Sequence, residues 1–239
     1  MSLLEAITAS SSSQVWPLPS ISRPVSSAGI ADDLDAVRRA GSNIRFSRGE
    51  TIFSEGDAAE YAYSVMTGAV RLCKHMADGR RQISQFLLPG DFFSFAEMSE
   101  HSFTAEAVAD TVLACYPQRQ IQRMADERPA LRRHFGSLLA HRVRDVQNHL
   151  VVLGRQTAKE KVASFLVMLI ERSRAQDGSR LELPMTRQDV ADFLGLTIET
   201  VCRVLSAMRR AKLIAIPGLH GLIIRDVDRL HAMADGEAQ

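Results

Sequence analysis

Two charged side chains four residues apart, Glu199 and Arg203, lie in a stretch that reads as one edge of a helix. Ile198, Glu199, Cys202, Arg203 and Ser206 recur at helical spacing, while Val201, Val204, Leu205 and Met208 fall on the opposite side. The chemistry such an edge can do is recognition of nucleobases. An arginine guanidinium grips guanine O6 and N7 as a fork, a carboxylate accepts from the cytosine N4 amine, and an apolar branch such as Ile198 rests against a thymine methyl. The competing reading is an i,i+4 ion pair between Glu199 and Arg203, which stabilises a solvated helix by only about 0.2–0.5 kcal/mol. The choice between them turns on what positions the helix.

The surrounding residues predict a helix-turn-helix over 186–210. Thr186 is a good N-cap for a first helix, in which Val190 and Leu194 share an inner face and Ala191 leaves room for a second helix to cross. Gly195 ends that helix where a tight turn demands positive φ, Leu196 plugs the turn, and Thr197 caps the second helix. In this motif the second helix presents its N-terminal residues to the DNA major groove, which favours base contact over the ion pair. Beyond it, Leu213–Ile216 and Leu222–Arg225 flank a Pro-Gly-Leu-His-Gly turn, a hairpin in the place of a wing. Upstream, Ala158 to Arg174 reads as a helix with Val162, Phe165, Leu166 and Leu169 inward, and Leu181–Leu183 as a short strand.

A longer helix is predicted from Pro129, a good first-turn residue, to Leu153. Leu139, Val143, Val146, Leu150 and Leu153 recur at alternating spacings of 4 and 3, an a/d seam with Arg142, Arg144 and Asp145 off the stripe. So narrow a stripe suits a partner helix, and an identical copy is the simplest partner, so a homodimer is expected. From Ile44 to Pro117, glycines at 49, 56, 68, 79 and 90 break β-compatible runs such as 60–66, 69–75 and 82–88. Turn signals at that interval predict a sandwich or barrel, with Ala-Asp-Gly-Arg at 77–80 its clearest hairpin turn. The Ser- and Pro-rich residues 1–28, with Trp16, read as a flexible tail. The expected architecture is therefore α+β. Its parts are a tail (1–28), an N-terminal β-roll, jelly-roll-like domain (29–128), a dimerisation helix (129–154) and a C-terminal winged helix-turn-helix (155–239).

Composition narrows the function classes. The net charge of +1 hides an asymmetry: residues 155–225 carry 12 Lys/Arg against 7 Asp/Glu, as expected where phosphates are neutralised. No apolar run approaches a membrane span, and the N-terminus lacks a basic n-region and a long enough apolar stretch, which points to the cytoplasm and no membrane partner. Three scattered cysteines (Cys73, Cys115, Cys202) form neither a disulfide framework nor a CxxC metal motif. The seven histidines (75, 101, 134, 141, 149, 220 and 231) include no His-x-His, and no G-x-S-x-G occurs, so neither cupin-type metal catalysis nor a serine hydrolase is expected.

A glycine-punctuated β-roll, a long helix and a winged helix-turn-helix, in that order, resemble the CRP/FNR superfamily of bacterial regulators over roughly residues 40–230. Leu183-Pro-Met-Thr-Arg-Gln-Asp-Val-Ala-Asp-Phe-Leu-Gly-Leu-Thr-Ile-Glu-Thr-Val-Cys-Arg, with Gly79-Arg-Arg-Gln-Ile and Leu88-Pro-Gly-Asp, is most similar to its FixK-type branch. The resemblance implies that Glu199 and Arg203 are the base-reading pair, with Ile198 and Cys202 beside them, and that Arg187 and Gln188 contact backbone phosphates. Thr186, Thr197 and Ser206 complete the candidate phosphate contacts. It further implies a palindromic operator with TTGA-like half-sites, a role in low-oxygen or nitrogen-related metabolism, and usually activation through RNA polymerase. A sensor of the same fold, binding DNA only with a small-molecule effector, is the alternative.

The family's cofactors meet specific obstacles. Cyclic-nucleotide members grip the phosphate with an arginine, but Phe103 stands at that position, in Ser102-Phe103-Thr104-Ala105 after Gly90-Asp91-Phe92-Phe93-Ser94-Phe95-Ala96-Glu97. Without that cation, burial of a phosphate is costly. No cysteine precedes Cys73, so the N-terminal iron–sulfur cluster of oxygen sensors is not expected. Cys73 and His75 share a strand face, but the family's Cys-x-His haem ligands lie in the cassette, where Ser94 and Ala96 stand. No cofactor and no metal are expected. Cys202, near a helix N-terminus and beside Arg203, is a candidate redox-sensitive thiol, its bland alternative an apolar contact to a base methyl.

Overall fold

The computed structural model describes residues 30–94, 99–172, 180–218 and 221–236. The expected tail with Trp16, the cassette residues Phe95, Ala96 and Glu97, and Leu219 and His220 of the wing turn lie outside them. The chain packs as two units. Residues through His75 go with Ser84–Arg142, and Met76–Ile83 go with Val143 onward.

The first unit is a β-roll of two antiparallel sheets with helices at its ends. After α1 (Ile30–Arg39) come β1 (Ser42–Phe46), β2 (Thr51–Phe53), β3 (Tyr61–Thr67), β4 (Val70–His75), β5 (Arg81–Leu87), β6 (Phe92–Phe93), β7 (Thr104–Ala107) and β8 (Thr111–Pro117). The strand orders are β1-β8-β3-β6 and β2-β7-β4-β5. Inner faces alternate as half-buried strands must. Ile44 and Phe46, Tyr63 and Val65, Ala105 and Ala107, and Leu113 and Cys115 meet in one core with Phe53, Leu87 and Phe93. The intervening Ala62, Ala114 and Tyr116 face the other way and pack with Val37, Ile121 and Leu131. Those last three lie on α1, on α2 (Gln118–Glu127) and on the start of α3 (Pro129–Arg155). The short helices α1 and α2 were not expected.

Helix α3 runs one turn or less beyond its predicted end. Leu131 is its one buried residue, and Arg142 pairs with Asp91 at 3.0 Å. The seam is bare: Leu139, Val143, Val146 and Leu150 are 48%, 49%, 43% and 63% exposed. With Val151 they make up five of the six exposed large hydrophobics among the described residues. Leu153 is partly covered.

The second unit holds α4 (Ala158–Arg172), β9 (Arg180–Glu182), α5 (Arg187–Leu194), α6 (Ile198–Arg210), β10 (Ile214–Ala215), β11 (Gly221–Ile224) and α7 (Val227–Ala234). Val162, Phe165, Leu166 and Leu169 of α4 are buried, as their spacing predicts. The wing has three strands in the order β10-β11-β9 rather than two, because β9 pairs antiparallel with β11 through Leu181 and Leu222. Among the described residues no helix is long and apolar enough to cross a membrane.

Candidate nucleic-acid interface

Helix α5 begins where its side chains supply the partners its first backbone N–H groups lack. The Thr186 hydroxyl accepts from the Asp189 backbone N–H at 3.1 Å, and Asp189 in turn accepts from the Thr186 backbone N–H at 2.9 Å and hydroxyl at 2.7 Å. This reciprocal box was not foreseen beyond Thr186 itself. Gly195 closes the helix at φ +61, with its N–H donating to Ala191. A residue with a Cβ is disfavoured in that left-handed conformation, which is why the chain turns there and not later. Thr197 then caps α6 by accepting from the Thr200 N–H at 3.3 Å.

The two helices are anchored through one side. Val190, Ala191 and Leu194 of α5 and Val201, Val204, Leu205 and Met208 of α6 are all buried. Phe193 packs against Phe165 at 5.8 Å between ring centroids, and stacks on His149 at 4.0 Å. The opposite edge of α6 is open: Glu199, Cys202 and Arg203 are exposed, Ile198 and Ser206 partly so. This is the predicted edge, brought together as one surface.

Its electrostatics favour the intermolecular reading. Among the described residues no ion pair joins Glu199 to Arg203, and the Arg203 guanidinium donates to the Thr200 hydroxyl at 3.4 Å. The Glu199 backbone N–H and the Thr197 hydroxyl hold the Glu199 carboxyl below the usual carboxylate range. At neutral pH it is therefore an acceptor only, the form that can take a cytosine amine hydrogen. Gln188 is exposed and donates to Asp192 at 2.6 Å. Arg187 is partly buried, and its guanidinium is pulled below its ordinary pKa by that burial, against the opposing pull of Cys202 nearby. The electrostatic neighbour of Cys202 thus includes an arginine from the other helix, which adjacency in sequence did not reveal. Arg209, Arg210, Lys212 and Arg225 are further exposed cations of this unit.

In the β-roll, Cys73, His75 and Glu106 come within 4.8 Å of one another. Cys73 is buried and His75 exposed. The Glu106 carboxylate already receives the Arg71 guanidinium at 2.7 Å and the Cys73 thiol at 3.7 Å. A cation there would face the guanidinium, so the cluster reads as a bonded ion pair. Nearby, the Phe103 ring lies 5.4 Å from Lys74 Nζ, and Lys74 is paired with Glu55 at 2.6 Å.

A capped two-helix motif with an open second helix, backed by a three-stranded wing, defines a winged helix-turn-helix DNA-binding protein. The Crp-like helix-turn-helix domain family matches residues 160–233, and the cyclic nucleotide-binding domain family matches residues 43–128. The nitrogen fixation regulation protein FixK of Bradyrhizobium diazoefficiens is 41% identical, covering 85% of this chain and 86% of its own. The transcriptional activatory protein AadR of Rhodopseudomonas palustris is 37% identical, covering 84% and 85%. The solved structure of FixK2 from Bradyrhizobium japonicum superposes with a TM-score of 0.77 at 36% identity, over 81% of this chain and 96% of that one. The chain belongs to the CRP/FNR family of transcription regulators, in its FixK branch. It is a DNA-binding regulator and not an enzyme.

Proposed function

We propose that the chain acts as a cytoplasmic homodimer that reads a two-fold symmetric operator with TTGA-type half-sites. It would activate genes of low-oxygen or nitrogen-related metabolism through contact with RNA polymerase. The observation that carries this reading is the open edge of α6, where Arg203 and Glu199 present a fork and an acceptor without pairing to each other. Ile198 and Cys202 flank them as further base contacts, while Thr186, Arg187, Gln188, Thr197 and Ser206 face backbone phosphates. The bare stripe Leu139, Val143, Val146 and Leu150, continued by Leu153, is the dimer seam. The names of the relatives, FixK for nitrogen fixation regulation and AadR for activation, support the physiological assignment.

In this reading the regulator uses no cyclic nucleotide, iron–sulfur cluster or haem. Phe103 and the pairing of Lys74 with Glu55 support the first exclusion. Cys202, exposed on the reading edge near Arg187, serves as a redox-sensitive contact. The test is a gel shift of ligand-free protein on a TTGA palindrome whose half-sites lie one helical turn, about 34 Å, apart. Selective binding against a scrambled duplex is expected. Equal binding to both overturns the reading, and binding only after an effector is added returns the ligand-gated alternative, which the match of residues 43–128 would then explain.

A further inference from the structure

The motif Gly79-Arg-Arg-Gln-Ile, set apart by its sequence, folds onto the first helix of the DNA-reading pair. Gly79 takes φ +84 and its N–H donates to Met76 at 3.0 Å, while the Met76 N–H donates to Arg80 at 2.8 Å. Arg80 is used within this turn, pairing with Asp78 at 2.7 Å. The turn thereby delivers the next two side chains to α5. Arg81 is 18% exposed and donates through Nη2 to Asp189 at 2.6 Å. Through Nη2 and Nε it also donates to Asp192 at 2.7 and 2.9 Å. Gln82 donates to the Phe193 carbonyl at 3.4 Å, one of the last-turn carbonyls that a helix cannot satisfy internally.

Both acids that receive Arg81 hold a second group. The other oxygen of Asp189 takes the Thr186 N–H and hydroxyl, and the other oxygen of Asp192 takes the Gln188 amide at 2.6 Å. One guanidinium therefore reaches, through two carboxylates, two residues proposed above to face phosphates. Its single positive charge also bridges two carboxylates one helical turn apart and offsets one of their two negative charges. Without it the Asp189 carboxylate, 2% exposed, would lose the guanidinium that faces it in its buried position, and Asp192 would present more negative charge beside the DNA backbone.

We propose that Arg81 is a positioning residue for DNA binding, fixing Thr186 and Gln188 and offsetting part of the negative charge of Asp189 and Asp192. The inference rests on the reading of these two residues as phosphate contacts. Arg81 would act on the part of the affinity that every DNA sequence shares, and Arg203 on the part that distinguishes sequences. A lysine at 81 keeps the charge but touches fewer oxygens, because only the planar fork spans both acids.

The test uses the full-length protein, an operator duplex and a scrambled duplex of equal length, titrated at several salt concentrations. Arg81→Gln should weaken binding to both duplexes alike, by about tenfold or more, leaving their ratio unchanged. It should also lower the slope of log affinity on log salt, because one positive charge is removed from the surface that faces the phosphates. Arg81→Lys should recover part of the affinity. Adding Asp192→Asn to Arg81→Gln should also recover part, since it removes the stranded charge. Should Arg81→Gln fail to fold in a thermal melt, Arg81→Lys carries the test, because it keeps the charge while losing the fork: weaker binding to both duplexes in equal proportion is expected, and parental affinity in that variant overturns the proposal. An Arg81→Gln protein that folds and keeps its affinity and slope overturns the proposal. So does one that loses the operator-to-scrambled ratio with its slope intact. Failure of the underlying reading shows separately, as an Arg203→Ala protein that discriminates the two duplexes as well as its parent does.

Discussion

Arg203 turns from Glu199, four residues before it, and donates instead to the Thr200 hydroxyl at 3.4 Å. That bond is long, and a guanine edge offering two acceptors replaces it readily. Arg203→Ala is therefore expected to reduce operator affinity by about 1–3 kcal/mol and to relax preference at one guanine position. Competition between the operator and duplexes substituted at single positions measures this. An unchanged preference at every position would remove Arg203 from the base-reading set.

The α3 stripe predicts an assembly. Leu150, 63% exposed, touches little within its own chain, so Leu150→Glu should change the stability of the isolated chain by no more than about 0.5 kcal/mol. Placed against its symmetry mate, the same carboxylate would be buried beside a like charge. Light scattering should show a dimer for the parent and a monomer for the variant, and operator binding should fall with dimerisation. A variant that stays dimeric would move the interface elsewhere.

What was legible beforehand follows the range of the interactions. The helix-turn-helix could be read because Thr186, Gly195 and Thr197 act on backbone within four residues of themselves, and because burial of Val190, Leu194, Val201 and Met208 obeys helical spacing. Helix α2 escaped because its ten residues, Gln118–Glu127, carry only Ile121 and Met124 as large apolar side chains, too few to mark a period. The strand at 181–183 was legible, but its place in the wing escaped because β9 pairs with β11 across some forty residues of chain, and pairing partners leave no local trace. The Arg81 fork was invisible for the same reason: its carboxylates lie 108 and 111 positions downstream. Only the distinctness of Gly79-Arg-Arg-Gln-Ile marked the place.

Cys202 is the one exposed cysteine of three. Cys73 is buried, and burial pushes the Cys115 thiol up to about 12, which removes its thiolate at neutral pH. Mild peroxide should therefore act at Cys202, placing a bulkier polar group on the edge that meets DNA. Operator affinity of the parent is expected to fall by at least about tenfold, or ~1.4 kcal/mol, on oxidation, and reductant should restore it. Cys202→Ser should bind comparably and ignore peroxide. Equal peroxide sensitivity in the variant and its parent would dismiss a redox role.

The stack of His149 on Phe193, with rings inclined by 14°, ties α3 to α5 through a titratable group. Burial lowers the His149 imidazole below its ordinary pKa, and the nearby Lys161 charge adds to that, against a backbone hydrogen bond with Phe193 that opposes it. Burial moves His101 and His134 of the first unit the same way. A histidine that stays neutral when folded binds fewer protons than its unfolded counterpart. Its contribution to stability is thus complete above the unfolded value of about 6.5, and it is lost as pH falls from there toward the lowered folded value. Urea midpoints should decline between pH 7.5 and pH 5.5. His149→Phe preserves an aromatic stack and cannot be protonated, so its midpoint should decline less than the parent's over the same interval. A decline of equal size in both proteins would mean that His149 is not the group through which acid loosens the second unit.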